Sequence, residues 1–160
     1  LALIPLPAQV AWCAGGETTT IWQGVRKRFM RIGIGGTFTD LKFFPRSDRL
    51  LASGLNGVVG IWSTISGRMV QRMSHGHAAG ASIVEAQVIH PYDRVVTLGS
   101  DQQMVVWDVA SGEVLLRVVM RPFCREHRLL RVSPEGKRII TGVSFTQWDP
   151  VMIWNATNGR

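Results

Sequence analysis

Cysteine is nearly absent from this 160-residue chain: Cys13 and Cys124 stand far apart, with no CxxC and no histidine cluster beside either. That excludes a disulfide framework and a structural zinc site, and it makes a reducing, intracellular setting, cytoplasm or nucleus, the expectation. Lysine is scarce as well, 3 against 15 arginines, so the net charge of +7 comes almost wholly from guanidinium groups, which suit bidentate recognition of carboxylate or phosphate. Long apolar runs are missing too. No stretch approaches the roughly 18 apolar residues that span a bilayer, and the apolar opening from Leu1 to Ala14 lacks a basic start and is broken by Pro5 and Pro7, which argues against a signal peptide. A soluble chain without a membrane partner is expected. Its first residue is Leu rather than Met, so a piece of a longer protein is expected as well.

Catalytic signatures are equally lacking. The chain has no HExxH, P-loop or GxSxG, and Gly33-Ile34-Gly35-Gly36 lacks the third glycine of a dinucleotide loop and precedes a strand rather than a helix. His75 and His90 have no carboxylate or thiol at metal spacing and read as turn or surface residues. No cofactor, no metal and no enzymatic activity are therefore expected. What is present is apolar and turn-rich: 46% hydrophobic residues, 18% charged, 17 Gly and 7 Pro, neither disordered nor collagen-like. The length has room for one domain of about 100–200 residues.

The turns and apolar runs recur. Trp22, Trp62, Trp107 and Trp154 are separated by 40, 45 and 47 residues, and Pro5, Pro45, Pro91 and Pro134 by 40, 46 and 43, so two independent landmarks share one period. Between them each unit reads alike. An apolar stretch ends in Pro (Leu41 to Pro45, Ala86 to Pro91, Leu129 to Pro134), and an apolar run then enters Gly (Leu50 to Gly54, Val95 to Gly99, Ile139 to Gly142). A tight turn such as Asn56-Gly57 leads to a strand that carries the tryptophan: Val58 to Trp62, Met104 to Trp107, Val151 to Trp154. Ser66-Gly67, Ser111-Gly112 and Asn158-Gly159 mark a further turn, with glycine five residues after the tryptophan, and a fourth strand follows at Arg68 to Met73 and Glu113 to Met120, with Val25 to Ile34 as its counterpart in the first unit. Four short antiparallel strands per unit cannot bury both faces alone, so units of this period stack radially as propeller blades.

The pattern resembles the WD40 repeat family of β-propellers, and the third unit matches it best, with Gly76-His77, Pro91, Thr97, Asp101 and Trp107-Asp108. The resemblance implies an all-β fold of four-stranded antiparallel blades. About four are present, in units of about 1–36, 37–76, 77–124 and 125–160, forming an incomplete ring within a family whose rings usually close with about six to eight blades. It also implies that His77, Thr97, Asp101 and Trp107 form the family's structural tetrad. The other units depart from the pattern: their tryptophans are followed by Gln23, Ser63 and Asn155, none has a second Gly-His, and Asn56 stands for the turn Asp. Their polar networks are expected to be partial. Trp148-Asp149 is a decoy, because Val151 to Trp154 keeps the strand pattern, which places Trp148 in an enlarged turn of the last unit.

A Thr, a His and an Asp together can imitate a nucleophile, base and orienter, but a set shared with an indole N–H chiefly satisfies buried polar groups. Asn155-Ala156-Thr157 is formally a glycosylation acceptor, not expected to be used inside a cell. The run Arg26-Lys27-Arg28 with Arg31 reads as a solvated outer strand or a phosphate-tracking stripe. Arg121, Phe123 and Arg125, between the third and fourth units, and Phe145 and Trp148, in the enlarged turn, fall at one end of the propeller and combine the residue types that dominate interface hot spots. These are the candidate partner-binding residues. The preferred function is a non-catalytic scaffold for protein–protein contacts within a multi-subunit complex. The alternatives are a basic propeller associated with RNA or ribonucleoprotein assembly, and the sensor portion of a larger NTPase or kinase chain.

Overall fold

All regular structure among the described residues of the computed structural model is β-strand. The described residues are 9–13, 18–23, 26–45, 48–74, 76–120, 129–142 and 151–160, those up to residue 31 by their backbone. Their strands form four antiparallel sheets in chain order. The first sheet holds β1 (Gln9–Cys13), β2 (Thr18–Gln23) and β3 (Arg26–Arg31). The second holds β4 (Phe38–Phe43), β5 (Arg49–Gly54), β6 (Val59–Ser63) and β7 (Met69–Met73). The third holds β8 (Ile83–Ile89), β9 (Arg94–Gly99), β10 (Gln103–Asp108) and β11 (Val114–Val119). The fourth holds β12 (Leu129–Val132), β13 (Arg138–Gly142) and β14 (Met152–Asn155). Within each sheet every strand pairs with the next along the chain. β1 packs on β4, β4 and β5 pack on β8, and β8 packs on β12, so the sheets stand side by side as the blades of an unclosed propeller.

The tryptophan sets a common register. Trp22, Trp62, Trp107 and Trp154 lie opposite Val10, Leu50, Val95 and Ile139, in each case the second residue of the preceding strand. Side chains alternate between faces along a strand, so a blade with neighbours on both sides needs apolar residues at consecutive positions of its middle strands. The second blade shows this: Leu51, Val59 and Ile61 pack against Ile83, Val95 and Trp107 of the third, while Leu50, Ala52 and Trp62 belong to a separate cluster on the other face. At the next junction Val96, Met104 and Val106 of the third blade meet Leu130, Ile139 and Trp154 of the fourth. The core is a series of layers between sheets, with Trp107 and Trp154 facing back toward the preceding blade.

The residue after the tryptophan caps the turn that follows. Asp108 Oδ1 accepts from Ser111 N–H at 2.8 Å, Ser63 Oγ from Ser66 N–H at 3.2 Å, and Asn155 Oδ1 from Thr157 and Asn158 N–H at 2.8 and 3.4 Å. Aspartate, serine and asparagine serve alike because the turn needs only a short side-chain oxygen. Gly67, Gly112 and Gly159 close these turns at φ of 72°, 76° and 67°, where a side chain is strained. A Cβ on Gly112 would also meet Gln71 of the preceding blade.

The inner strands carry a device that the repeat pattern conceals. Asp40 and Lys42 of β4 grip one residue of β8 from both sides: Ala86 N–H donates to Asp40 Oδ2 at 3.4 Å, and Lys42 Nζ donates to the Ala86 carbonyl at 2.8 Å. Glu85 and Gln87 of β8 hold Leu130 of β12 in the same way, with Leu130 N–H donating to Glu85 Oε2 at 2.9 Å and Gln87 Nε2 donating to the Leu130 carbonyl at 3.1 Å. Glu85 Oε1 also meets Lys42 at 3.4 Å and Arg131 at 2.5 Å, so one carboxylate joins three successive blades. Replacing Glu85 with Ala leaves a partly buried amide without its acceptor. Glu85→Ala is expected to cost about 1–3 kcal/mol in denaturant unfolding and to speed hydrogen exchange at the Leu130 amide.

Candidate functional site

The third blade joins its four chemistry-bearing residues into one hydrogen-bonded chain. Trp107 Nε1 donates to Thr97 Oγ1 at 2.8 Å, Thr97 Oγ1 lies 2.8 Å from His77 Nε2, and His77 Nδ1 lies 3.0 Å from Asp101 Oδ1. An ionised carboxylate only accepts, so Nδ1 carries a hydrogen, and in a neutral ring Nε2 then accepts from the threonine hydroxyl. Asp101 closes the chain onto the backbone, accepting from Ala78 N–H at 2.7 Å and Gln103 N–H at 3.2 Å. Burial alone would raise the Asp101 carboxyl. The Ala78 N–H, the His77 ring and the Gln103 N–H outweigh it and hold the group below its ordinary value. The His77 side chain is 1% exposed, its ring 6.5 Å from that of Trp107, and the close approach of Gly99 leaves no room for a Cβ against it.

The other blades keep less of this chain. In the fourth, Trp154 Nε1 donates to Thr141 Oγ1 at 2.8 Å, and Thr141 holds the register of Thr97, two residues beyond the partner of the tryptophan. In the second, that register is Ala52, and the place of the histidine is taken by Ile34, which packs against Gly54 as His77 packs against Gly99. Both are fully buried. Gly33-Ile34 is thus the apolar counterpart of Gly76-His77, and Asn56, in place of the turn Asp, donates its amide to the Ile34 carbonyl at 2.8 Å. A hydrophobe after glycine was the signal available in the sequence.

Trp62 is buried in a cluster with Ile32 and Ile34, Trp154 is half-buried, and Trp22 sits on β2. Arg121, Phe123, Arg125, Phe145 and Trp148 lie outside the described residues, as does His75. The segments that carry the first five are bordered by Leu129 and Gly142, which are register partners. His90 is an exposed turn residue on the rim of a cleft of about 320 Å³ between the second and third blades. On that rim Arg49 forms a two-pronged ion pair with Asp93 at 2.6 and 3.0 Å and lies over the Phe44 ring. This inter-blade pair, like the Glu85 hub, escaped sequence reasoning. The available signals were an Arg opening the second strand of three blades (Arg49, Arg94, Arg138) and the alternating polar pairs Asp40/Lys42 and Glu85/Gln87, one repeat apart. Among the described residues no group of three His, Cys, Asp or Glu is placed to hold a metal, and no helix is long and apolar enough to cross a membrane.

No family model matches the chain. It is similar to a bromodomain and WD repeat-containing protein of Dictyostelium discoideum, 23% identical over 109 residues, which cover 66% of this chain and 5% of that protein. Among solved structures it is similar to the C-terminal WD40 domain of Sif2, with a TM-score of 0.70 and 17% identity over 92% of this chain and 40% of that one. The chain therefore spans well under half the length of either.

Thr97→Val removes both the acceptor for Trp107 and the donor to His77 within a buried chain, and is expected to lower stability by about 1–3 kcal/mol in denaturant titration. Asp101 supplies a pH signature. A carboxyl whose folded value lies below its unfolded one adds stability that is full above the unfolded value and is lost as the pH falls through the folded one. Asp101→Asn is therefore expected to destabilise the protein at neutral pH and to flatten the acid limb of its stability curve, as read from urea midpoints across the carboxylate range.

Proposed function

We propose, from the premise that this chain is a stretch of WD40-type β-propeller, that it works as a non-catalytic scaffold for protein–protein contacts within a larger intracellular assembly. One observation carries the reading. The grouping with the composition of an acid–base triad, His77, Thr97 and Asp101, is closed under Trp107, and its ring nitrogens, hydroxyl and carboxylate are engaged with one another and with the backbone. Thr97 is 0% exposed, and a hydroxyl so buried is closed to a substrate, whereas a rigid sheet framework is what recognition loops require. Leu129 and Gly142, which border the segments 121–128 and 143–150 in the sequence, are paired across the fourth sheet. That supports assigning Arg121, Phe123, Arg125, Phe145 and Trp148 to a common recognition surface.

In affinity capture from cell extract at physiological salt, the wild-type chain is expected to retain proteins that Trp148→Ala and Arg125→Glu variants lose, with the far-UV circular dichroism of the variants unchanged. Equal capture by wild type and variants would place binding elsewhere, and no capture by the wild type would overturn the scaffold reading.

A second reading rests on the charge of +7, to which exposed Arg68 and Arg72 near the outer strand β7 and Arg117 on β11 contribute. If this surface tracks RNA phosphates, binding to a single-stranded homopolymer falls steeply with salt through counterion release. A flat titration at low salt dismisses it.

A further inference from the structure

We propose that the outer wall of the second and third blades is a docking surface, and that its partner is an acidic protein segment that carries aliphatic side chains. The wall is formed by β7 and β11, the edge strands on the side of each sheet away from the inner strands β4 and β8. Both strands bulge opposite a tryptophan: Met69 pairs with Trp62 and the register slips past Val70, and Val114 pairs with Trp107 and the register slips past Leu115. A bulge leaves one residue outside the ladder and re-aims its side chain. Val70 is 53% and Leu115 47% exposed, beside Met69 at 39% and Val114 at 38%. Two residues further on stand Arg72 and Arg117, both exposed, and Val119 follows at 70% exposed. An exposed aliphatic pair with a guanidinium two residues beyond it therefore recurs after one repeat of 45 residues.

Charge narrows the partner. The outer strands β3, β7 and β11 hold six cationic residues, Arg26, Lys27, Arg28, Arg31, Arg72 and Arg117, and no Asp or Glu. Arg68 adds an exposed cation just before β7. The carboxylates that flank β11 in the sequence are Asp108, which accepts from the Ser111 N–H and hydroxyl, and Glu113, exposed in the turn before the strand. An aliphatic, cationic edge disfavours pairing with a second copy of itself, because like charges would meet. It gives single-stranded RNA no ring to stack on, since β7 and β11 contain no aromatic residue. The blades stand radially, so their outer strands lie on a convex wall, which a protein chain can follow from blade to blade and a flat bilayer cannot. A segment with aliphatic side chains to cover the bulges and carboxylates to meet the arginines answers both features at once. The inference rests on the scaffold reading and adds a second surface to it.

The probe is a fluorescein-labelled peptide of four Asp-Leu-Ser-Glu-Val repeats, titrated with the chain at low salt and followed by anisotropy. Saturable binding is expected. Replacing the Leu and Val of the peptide with Ser, or introducing Val70→Ser together with Leu115→Ser into the protein, is expected to weaken binding about tenfold, the scale of one large aliphatic side chain returned to water. Arg72→Glu with Arg117→Glu is expected to abolish binding of the acidic peptide and to create binding of a peptide with Lys in place of its Asp and Glu. Leu55→Ser, at an exposed aliphatic in the turn between β5 and β6, is expected to change nothing. Circular dichroism and melting temperature establish that each variant is folded. No saturable binding by the wild type, equal binding of the aliphatic and serine peptides, or indifference to Val70→Ser with Leu115→Ser overturns the proposal. Tighter binding to poly(U) or to phosphatidylserine vesicles, weakened by the same two pairs of substitutions, also overturns it and assigns the wall to nucleic acid or to an anionic membrane. Because the probe is a defined peptide, failure here leaves the capture of proteins from cell extract, which tests the scaffold reading, unaffected.

Discussion

No blade of this protein can bury its own hydrophobic surface. A four-stranded sheet whose middle strands are apolar on both faces has to be covered twice, and the sheet-to-sheet layers supply that cover: Leu51, Val59 and Ile61 under Trp107 on one side, Val96, Met104 and Val106 under Trp154 on the other. At roughly 1.5–3 kcal/mol for each large apolar side chain removed from water, these layers outweigh any single polar contact in the molecule. Stability is therefore shared between neighbours, as in other stacked repeats, and a change on one face is felt by the blade beyond it.

Within that constraint the polar chemistry is free to vary. The third blade holds a complete His77–Thr97–Trp107–Asp101 chain, the fourth keeps the Trp154–Thr141 bond, and the second replaces histidine and threonine with Ile34 and Ala52. Replacing both partners of a buried hydrogen bond with apolar groups can be nearly neutral, whereas replacing one strands the other. The second blade follows the first course: Ile34 and Ala52 are both apolar, and Asn56 turns its amide to a backbone carbonyl instead. A histidine left without its threonine would have been the costly intermediate.

The blades were legible in the sequence because their constraints are periodic. Tryptophan must recur opposite the second residue of the preceding strand, glycine must recur where φ is positive, and the apolar runs must be long enough to serve two faces. The Trp154 strand was distinguishable from Trp148-Asp149 for the same reason. The inter-blade contacts were not legible, because they join residues of different blades whose pairing depends on the lateral fit of two sheets. Nothing in Arg49 or Asp93 alone announces the other, and Glu85 reads as an ordinary strand residue until β4 and β12 are placed on either side of it. Gly33-Ile34 was passed over because an apolar substitute for a polar residue leaves no chemical mark.

The clamps on the inner strands explain how such divergent repeats stay in one register. Asp40 and Lys42 hold the N–H and carbonyl of Ala86, and Glu85 and Gln87 hold those of Leu130. A grip on backbone groups is indifferent to the side chain it holds, so Ala and Leu serve equally well at the gripped position. The requirement falls on the gripping blade, which must offer an acceptor and a donor two residues apart, and either Asp with Lys or Glu with Gln meets it. Sequence freedom in one blade therefore does not loosen the next. Order along the arc comes instead from contacts that read side chains, such as Arg49 with Asp93, and these lie at the turns, outside the layers that carry most of the stability. Residues on the connections can change in the same way, because the sheets are fixed by backbone grips and apolar layers rather than by the connections themselves.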